Sequence, residues 1–313
     1  MIFSEPRARP LLTAGALGAG PLLACTLLLG CGQPGPGAAQ PAGATGQAQA
    51  TPAAQATPAA QASQPAAGRF SAPLTVDNPM FPLVAGTQFV YQGEIVEGGE
   101  AKPHSVVFTV TGLSKVVDHV RTVVAWDRDF LEGRLQEQEL AFFAQDDQGN
   151  VWNFGEYPEE YSRGRFTGAP STWIRGTGHA YGGIHMLARP VDGATYREGL
   201  VPPIDFDDVS KVSLTGQTTC MRSGCFRNVL VVDETSPNDP ASGHQIKYYS
   251  PGVGLVRVGA RGGDSREFLT LARVRHLGQS AMASVSKEVI AMDHRAYRVA
   301  TVYRVTAPAV RGG

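Results

Sequence analysis

Between Tyr157 and Met186 the chain gathers the side chains best suited to recognition or chemistry: Tyr157, Tyr161, Phe166, Trp173, Tyr181, His179 and His185, set among Gly and Arg. Aromatic and imidazole groups in a Gly-rich stretch suit loops that contact ligands or partners. Tyr157, Tyr161, Trp173, His179, Tyr181 and His185 are therefore the candidate contact residues, and the same aromatics would serve equally well to cap an open end of a sheet. His179 and His185, with Met186, offer donors for copper or zinc. Joined by nearby carboxylates they would make a metal-assisted hydrolase. Glu156, Glu159 and Glu160, and later Asp205, Asp207 and Asp208, are acidic clusters for which calcium binding or acid/base work is conceivable, although solvated loops are the plainer reading. No G-x-S-x-G elbow, H-E-x-x-H pair, phosphate loop or dinucleotide fingerprint occurs. Gly176 to Gly182 has the glycine density of a nucleotide loop but lacks the strand before it and the helix after it, so it reads as a turn. No catalytic residue is assigned, and neither a resident metal nor a cofactor is expected.

The four cysteines fall into two pairs: Cys25 and Cys31 near the start, Cys220 and Cys225 in the later part. Outside the cytoplasm the second pair should oxidise and staple a turn. Two thiolates alone do not make a metal site, and C-x4-C outside a βαβ unit is not a redox motif.

Arg7 and Arg9 precede an uncharged stretch from Leu11 to Leu29, the pattern of a secretory signal. Leu28-Leu29-Gly30-Cys31 resembles a bacterial lipobox, which would place a diacylglycerol on Cys31. A match at Cys25 would leave the apolar Thr26 to Leu29 at the new N-terminus, so Cys31 is preferred. A plain cleaved signal or an uncleaved anchor is the alternative. Residues 32–69 are almost wholly Ala, Pro, Gln, Gly and Thr, with no charge before Arg69 and nothing to offset the entropy of ordering. They read as a tether. The expected location is extracytoplasmic, with the membrane as a partner through the lipid. The net charge of −1 and the lack of a basic tract exclude a nucleic-acid role.

About 245 residues remain, enough for a substantial core. Residues 105–112, 120–127, 226–233 and 254–258 are β-branched or aromatic runs bounded by Gly, Asp and Ser, the mark of strands. Val120 to Asp127 parallels Phe226 to Asp233 at an offset of 106, and the same offset lays Phe142-Phe143 on Tyr248-Tyr249. The expected fold is all-β: two tandem antiparallel meanders, about 81–156 and 188–276, within a domain at 70–277 that forms a curved sheet or a sandwich. In each aromatic pair one member should be buried. Val285, Val289, Met292, Ala296 and Ala300 recur at spacings of three and four, which predicts an amphipathic helix over 284–303 in a C-terminal extension at 278–313.

Three blocks carry a family resemblance: Ala144 to Glu156, Gly193 to Glu198, and Lys247 to Val256. They resemble signatures of a group of secreted bacterial proteins and lipoproteins that has no assigned function. The resemblance covers most of residues 80–276 and implies a self-contained extracytoplasmic β domain, with no catalytic residues to carry over. The sequence thus favours a lipid-anchored binding or envelope-structural module for an unknown ligand or envelope partner, with the metal-assisted hydrolase as the alternative.

Overall fold

The computed structural model describes residues 68–222 and 224–312; the expected export signal, Cys31 and nearly all of the expected tether lie outside them. The β-rich runs become one antiparallel meander: β1 (Thr87–Glu97), β2 (Glu100–Val117), β3 (Val120–Leu131), β4 (Arg134–Gln145), β5 (Val151–Ser162) and β6 (Arg165–Gly168). Three short strands follow, β7 (Trp173–Ile174), β8 (Tyr181–Gly182) and β9 (Ile184–Met186). A second meander then comprises β10 (Thr195–Val201), β11 (Phe206–Met221), β12 (Gly224–Thr235), β13 (His244–Ser250), β14 (Gly254–Arg261) and β15 (Ser265–His276). β15 pairs with β1, so both meanders extend from β1 as arms of a single sheet. The curved-sheet form is the one adopted, and the sandwich is not. Cys220 and Cys225 face each other across the β11–β12 hairpin and are bonded. A loop that short contributes about 2 kcal/mol on the chain-entropy argument.

The arms curl until they meet at residues 181–186. There the Asn153 N–H of β5 donates to the Gly183 carbonyl at 2.9 Å, and the Gly183 N–H donates to the Glu198 carbonyl of β10 at 2.9 Å. Glycine is required at this seam, because a Cβ on Gly183 would sit 2.0 Å from the Arg197 carbonyl oxygen, and one on Gly182 would sit 2.3 Å from that of Asn153.

Curling gives the sheet an inner face, and residues 70–84 plug one end of it. Phe81 is buried against Phe108, Phe143 and His185. Asn78 donates to the Gly149 and Leu187 carbonyls, and Gln145 Oε1 accepts from the Asp77 and Asn78 N–H groups. Asp146 to Asn150 forms the β4–β5 turn, closed by the Asp146 N–H donating to the Asn150 carbonyl.

The outer face is covered over β2 and β4 by α1 (Gln279–Val299), which starts five residues before the predicted span and ends one turn earlier than it. Its apolar stripe is the expected one: Val285, Val289, Met292 and Ala296 are buried, as is Ala300 at its end. Each large side chain there stabilises the docked helix by about 1.5–3 kcal/mol. Because α1 covers one face of β4 and the plug fills the other, Phe142 and Phe143 are both buried, and in the pair Tyr248-Tyr249 only Tyr249 is.

A buried cation fixes the helix. Lys115 Nζ, from β2, donates to Asp293 Oδ1 at 2.7 Å, to the Tyr297 hydroxyl at 2.9 Å and to the Ala307 carbonyl at 2.7 Å, and lies 4.2 Å from the Tyr303 ring. Burial pushes its pKa down to about 8 against the pull of Asp293. The same carboxylate accepts from the Tyr303 hydroxyl and the Ala309 N–H, so the chain beyond the helix folds back and β16 (Val310–Arg311) pairs with β2. Asp293→Ala leaves this cation buried without its counter-charge. The expected loss is about 3–5 kcal/mol of unfolding free energy in urea melts, and a loss within 1 kcal/mol, about the worth of a surface pair, would contradict the role given to the pair.

Candidate functional site

Strand alternation puts every second residue on the inner face, and its chemistry changes along the strands. Near the plug it is apolar: Phe89, Phe108, Phe143, Tyr249, Leu255 and Leu271 are buried there. Toward the β3–β4 tip the inward residues become ionisable. Asp127 stands opposite Glu139, and Asp129 opposite Glu137. Like charges directly across a strand pair are destabilising. Exposure rises along this face, from Ala141 and Glu139, both buried, to the half-buried Glu137 and Leu135.

The second arm contributes a matching layer. Glu198 (β10), Asp208 and Ser210 (β11), Glu234 (β12), Gln245 and Lys247 (β13) and Glu267 (β15) are all buried. Lys247 Nζ donates to both oxygens of Glu234, at 2.6 and 2.7 Å. Glu198 accepts from the Ser210 hydroxyl and pairs with His185 Nδ1 at 2.8 Å. On the first arm His104, from β2, is held between two acids: Nε2 lies 2.7 Å from Asp129 Oδ1, and Nδ1 lies 3.1 Å from Glu267 Oε1 in ion-pair range but without hydrogen-bonding geometry. Gln245 Nε2 donates to the other oxygen of Glu267 at 3.1 Å.

Burial and mutual repulsion control the protons in this layer. Desolvation, followed by neighbouring carboxylates, holds Glu139, Glu137, Asp127 and Asp208 well above the usual carboxylate range. Glu234 is pushed up to about 7 by burial and by Glu198, against the pull of Lys247. Burial opposes charge on His104 as well, yet Asp129 and Glu267 together outweigh it and raise the ring to about 10. His185 goes the other way. Its ring, 4.4 Å from Phe81 and 5.2 Å from Phe143, is kept neutral by desolvation, far below the ordinary value.

The residues singled out from sequence are dispersed. Tyr157 is buried on the helix side, its hydroxyl donating to Glu159 at 2.8 Å and its ring 5.3 Å from Tyr303. Tyr161 donates to the same carboxylate, which Arg295 of α1 grips at 2.7 and 2.9 Å. These two tyrosines dock the helix. Trp173 is buried, stacked 5.4 Å from Phe206, with its indole N–H on Glu156 at 3.0 Å. Tyr181 is half-buried on the seam. His179 occupies an exposed turn with φ of 63°, while His185 is sealed in the interior. The structure therefore does not assemble the His179 and His185 metal centre of the hydrolase reading, because one residue is in a surface turn and the other on an inward strand. The acidic clusters are only in part solvated: Asp205 is exposed in a turn and Glu160 half-buried. Glu156, Glu159, Asp207 and Asp208 are buried on strands, where Asp207 pairs with Arg197 at 3.0 Å and Asp208 accepts from Ser236.

His104, Asp129 and Glu267 come from three separate strands, and sequence spacing alone gives no sign that they meet. A signal did exist for Asp127, Asp129, Glu137 and Glu139. Two acid-x-acid pairs flanking the Glu132-Gly133 turn must share one face of a hairpin.

Comparison with known sequence families, and with curated proteins, gives no match. Two solved structures are similar in part. One is a Bacteroides fragilis protein of YmcC-like fold inferred to be exported, at 15% identity and TM-score 0.37, covering 63% of this chain and 98% of its own. The other is a Parabacteroides distasonis protein inferred to be a lipoprotein, at 13% identity and TM-score 0.30, covering 63% and 99%. Among the described residues no helix is long and apolar enough to cross a membrane.

The proton balance of the acidic layer predicts how stability responds to pH. Glu139, Asp208 and Glu234 bind protons more tightly folded than unfolded, so stability falls as pH rises from the ordinary carboxylate range through their raised values. The melting temperature is expected to be higher at about pH 5.5 than at about pH 8. The reverse order in a calorimetric series would show that these groups are ionised at no cost.

Proposed function

We propose that this chain is a lipid-anchored, extracytoplasmic binding module of the cell envelope, and that its ligand-contacting surface is the ionisable lining of the curled sheet. The observation that carries the reading is the excess of buried acid on the inner face: Asp127, Glu198, Asp208, Glu234 and Glu267, against His104 and Lys247. Each ion taken from water costs several kcal/mol unless matched. The apolar half of the same face shows that folding does not need such groups. An acidic lining favours a cationic ligand, and the arriving charge lowers the raised pKa values by the same Coulombic attraction, so binding and proton release are linked. The anchor is argued from Arg7, Arg9, the uncharged Leu11 to Leu29 stretch and the Leu-Leu-Gly-Cys31 sequence, and the tether at 32–69 would hold the domain clear of the bilayer.

Two outcomes test this. Cys31→Ser is expected to abolish labelling by radioactive fatty acid and to change membrane retention; labelling or retention identical in both forms would remove the anchor. In the presence of chelator, an organic polycation such as spermidine is expected to raise the melting temperature of the full chain, as mass action requires of any ligand preferring the folded state, while a neutral sugar of similar size does not. Stabilisation by neither, or by the sugar alone, would overturn the cationic reading.

A further inference from the structure

The geometry points to a specific divalent metal site, for zinc or a similar borderline ion, formed by His104, Asp129 and Glu267 inside the curled sheet. The inference deepens the binding role proposed above by naming one cation and the residues that take it.

The three side chains arrive from β2, β3 and β15, and one potential ligand atom from each lies within 4.8 Å of the other two. Among the described residues no other trio of His, Cys, Asp or Glu meets this condition. The donor set is one imidazole nitrogen with carboxylate oxygens. That combination suits zinc and its neighbours, whereas calcium takes oxygens alone. His104 is 3% exposed, so the site is dry, while the Asp129 side chain is 22% exposed and gives an approach from the β3–β4 end.

Two buried polar atoms beside the trio make no hydrogen bond among the described residues. His104 Nδ1 is buried and makes no hydrogen bond, although it faces Glu267 Oε1 at 3.1 Å. Gln245, 5% exposed, donates its amide N–H to Glu267 and leaves its own Oε1 buried with no partner among the described residues.

The test uses the full chain, purified in detergent, stripped with chelator, and dialysed against zinc with metal read by atomic absorption. About one zinc per chain is expected. His104→Gln and Glu267→Gln should each weaken binding by well over about 100-fold, beyond the roughly 10–100-fold typical of outer partners, and the exposed His276→Gln should change it by less than about threefold. Zinc should raise the melting temperature of wild type and of neither interior variant. The inference is overturned if wild type retains no zinc, if it takes up calcium alone, or if His104→Gln and Glu267→Gln, folded by circular dichroism, bind as wild type does. Should a variant not fold, wild type loaded with cobalt(II) decides the matter: paramagnetically shifted signals from one imidazole support the site, and the spectrum of the free aqua ion overturns it. The spermidine arm contains chelator, so loss of either result leaves the other standing.

Discussion

The seam at Gly183 is the contact on which the rest of this architecture depends. One backbone unit donates to β10 and accepts from β5, and so ties together the two ends of a sheet that would otherwise present two open edges. Exposed edges invite pairing with other chains. Joining them also creates an inside, and only then do Glu156 on β5, Glu198 on β10 and His185 between them become neighbours. The seam demands glycine for steric reasons and admits no side chain there.

Charges are buried on both faces, under different rules. On the outside the pairs are matched and multiply bonded: Lys115 with Asp293, and Arg295 with Glu159, which also accepts from Tyr157 and Tyr161. Breaking either pair would leave a lone charge in a dry place, so they serve to lock the helix in one position. On the inside acids outnumber bases, and like charges face each other across β3 and β4. Proton uptake relieves part of that repulsion, at the cost of making the interior sensitive to pH. A structural core has no use for such sensitivity, and a cation-binding interior does.

How much of this was legible in the sequence depends on whether the signal was local. The strands at 105–112, 120–127, 226–233 and 254–258 and the stripe from Val285 to Ala300 were readable because side-chain period is a local property. The helix stops one turn early because Ala300 leaves helical geometry and Tyr303 must turn back to reach Asp293. The stretch from Tyr157 to Met186 looked like a recognition loop because its composition matches one, yet much of it is seam and helix dock. Composition cannot separate an aromatic that meets a ligand from one that meets a helix more than a hundred residues later, as Tyr157 meets Tyr303. The trio of His104, Asp129 and Glu267 was invisible for the same reason: its members are brought together by register between distant strands.

Register also refines the relation between the two arms. Both run as consecutive antiparallel hairpins, and the constant offset of 106 equates Val124 with Leu230 and Phe142 with Tyr248. In the structure Val124 faces Phe142 but Leu230 faces Tyr249, so β12 is displaced by one residue relative to that alignment. A one-residue slip exchanges the faces of a strand. With β12 taken at an offset of 107 and β13 at 106, the inward pairs correspond: Val123 and Phe143 with Leu230 and Tyr249, Ala125 and Ala141 with Val232 and Lys247, and Asp127 and Glu139 with Glu234 and Gln245. The ionisable layer therefore lies at the same level in both arms. The first arm keeps two acids there, and the second replaces one with an amide and adds Lys247 one step closer to the plug. At this level the first arm therefore carries two carboxyl groups and no base, beside Asp129 and His104.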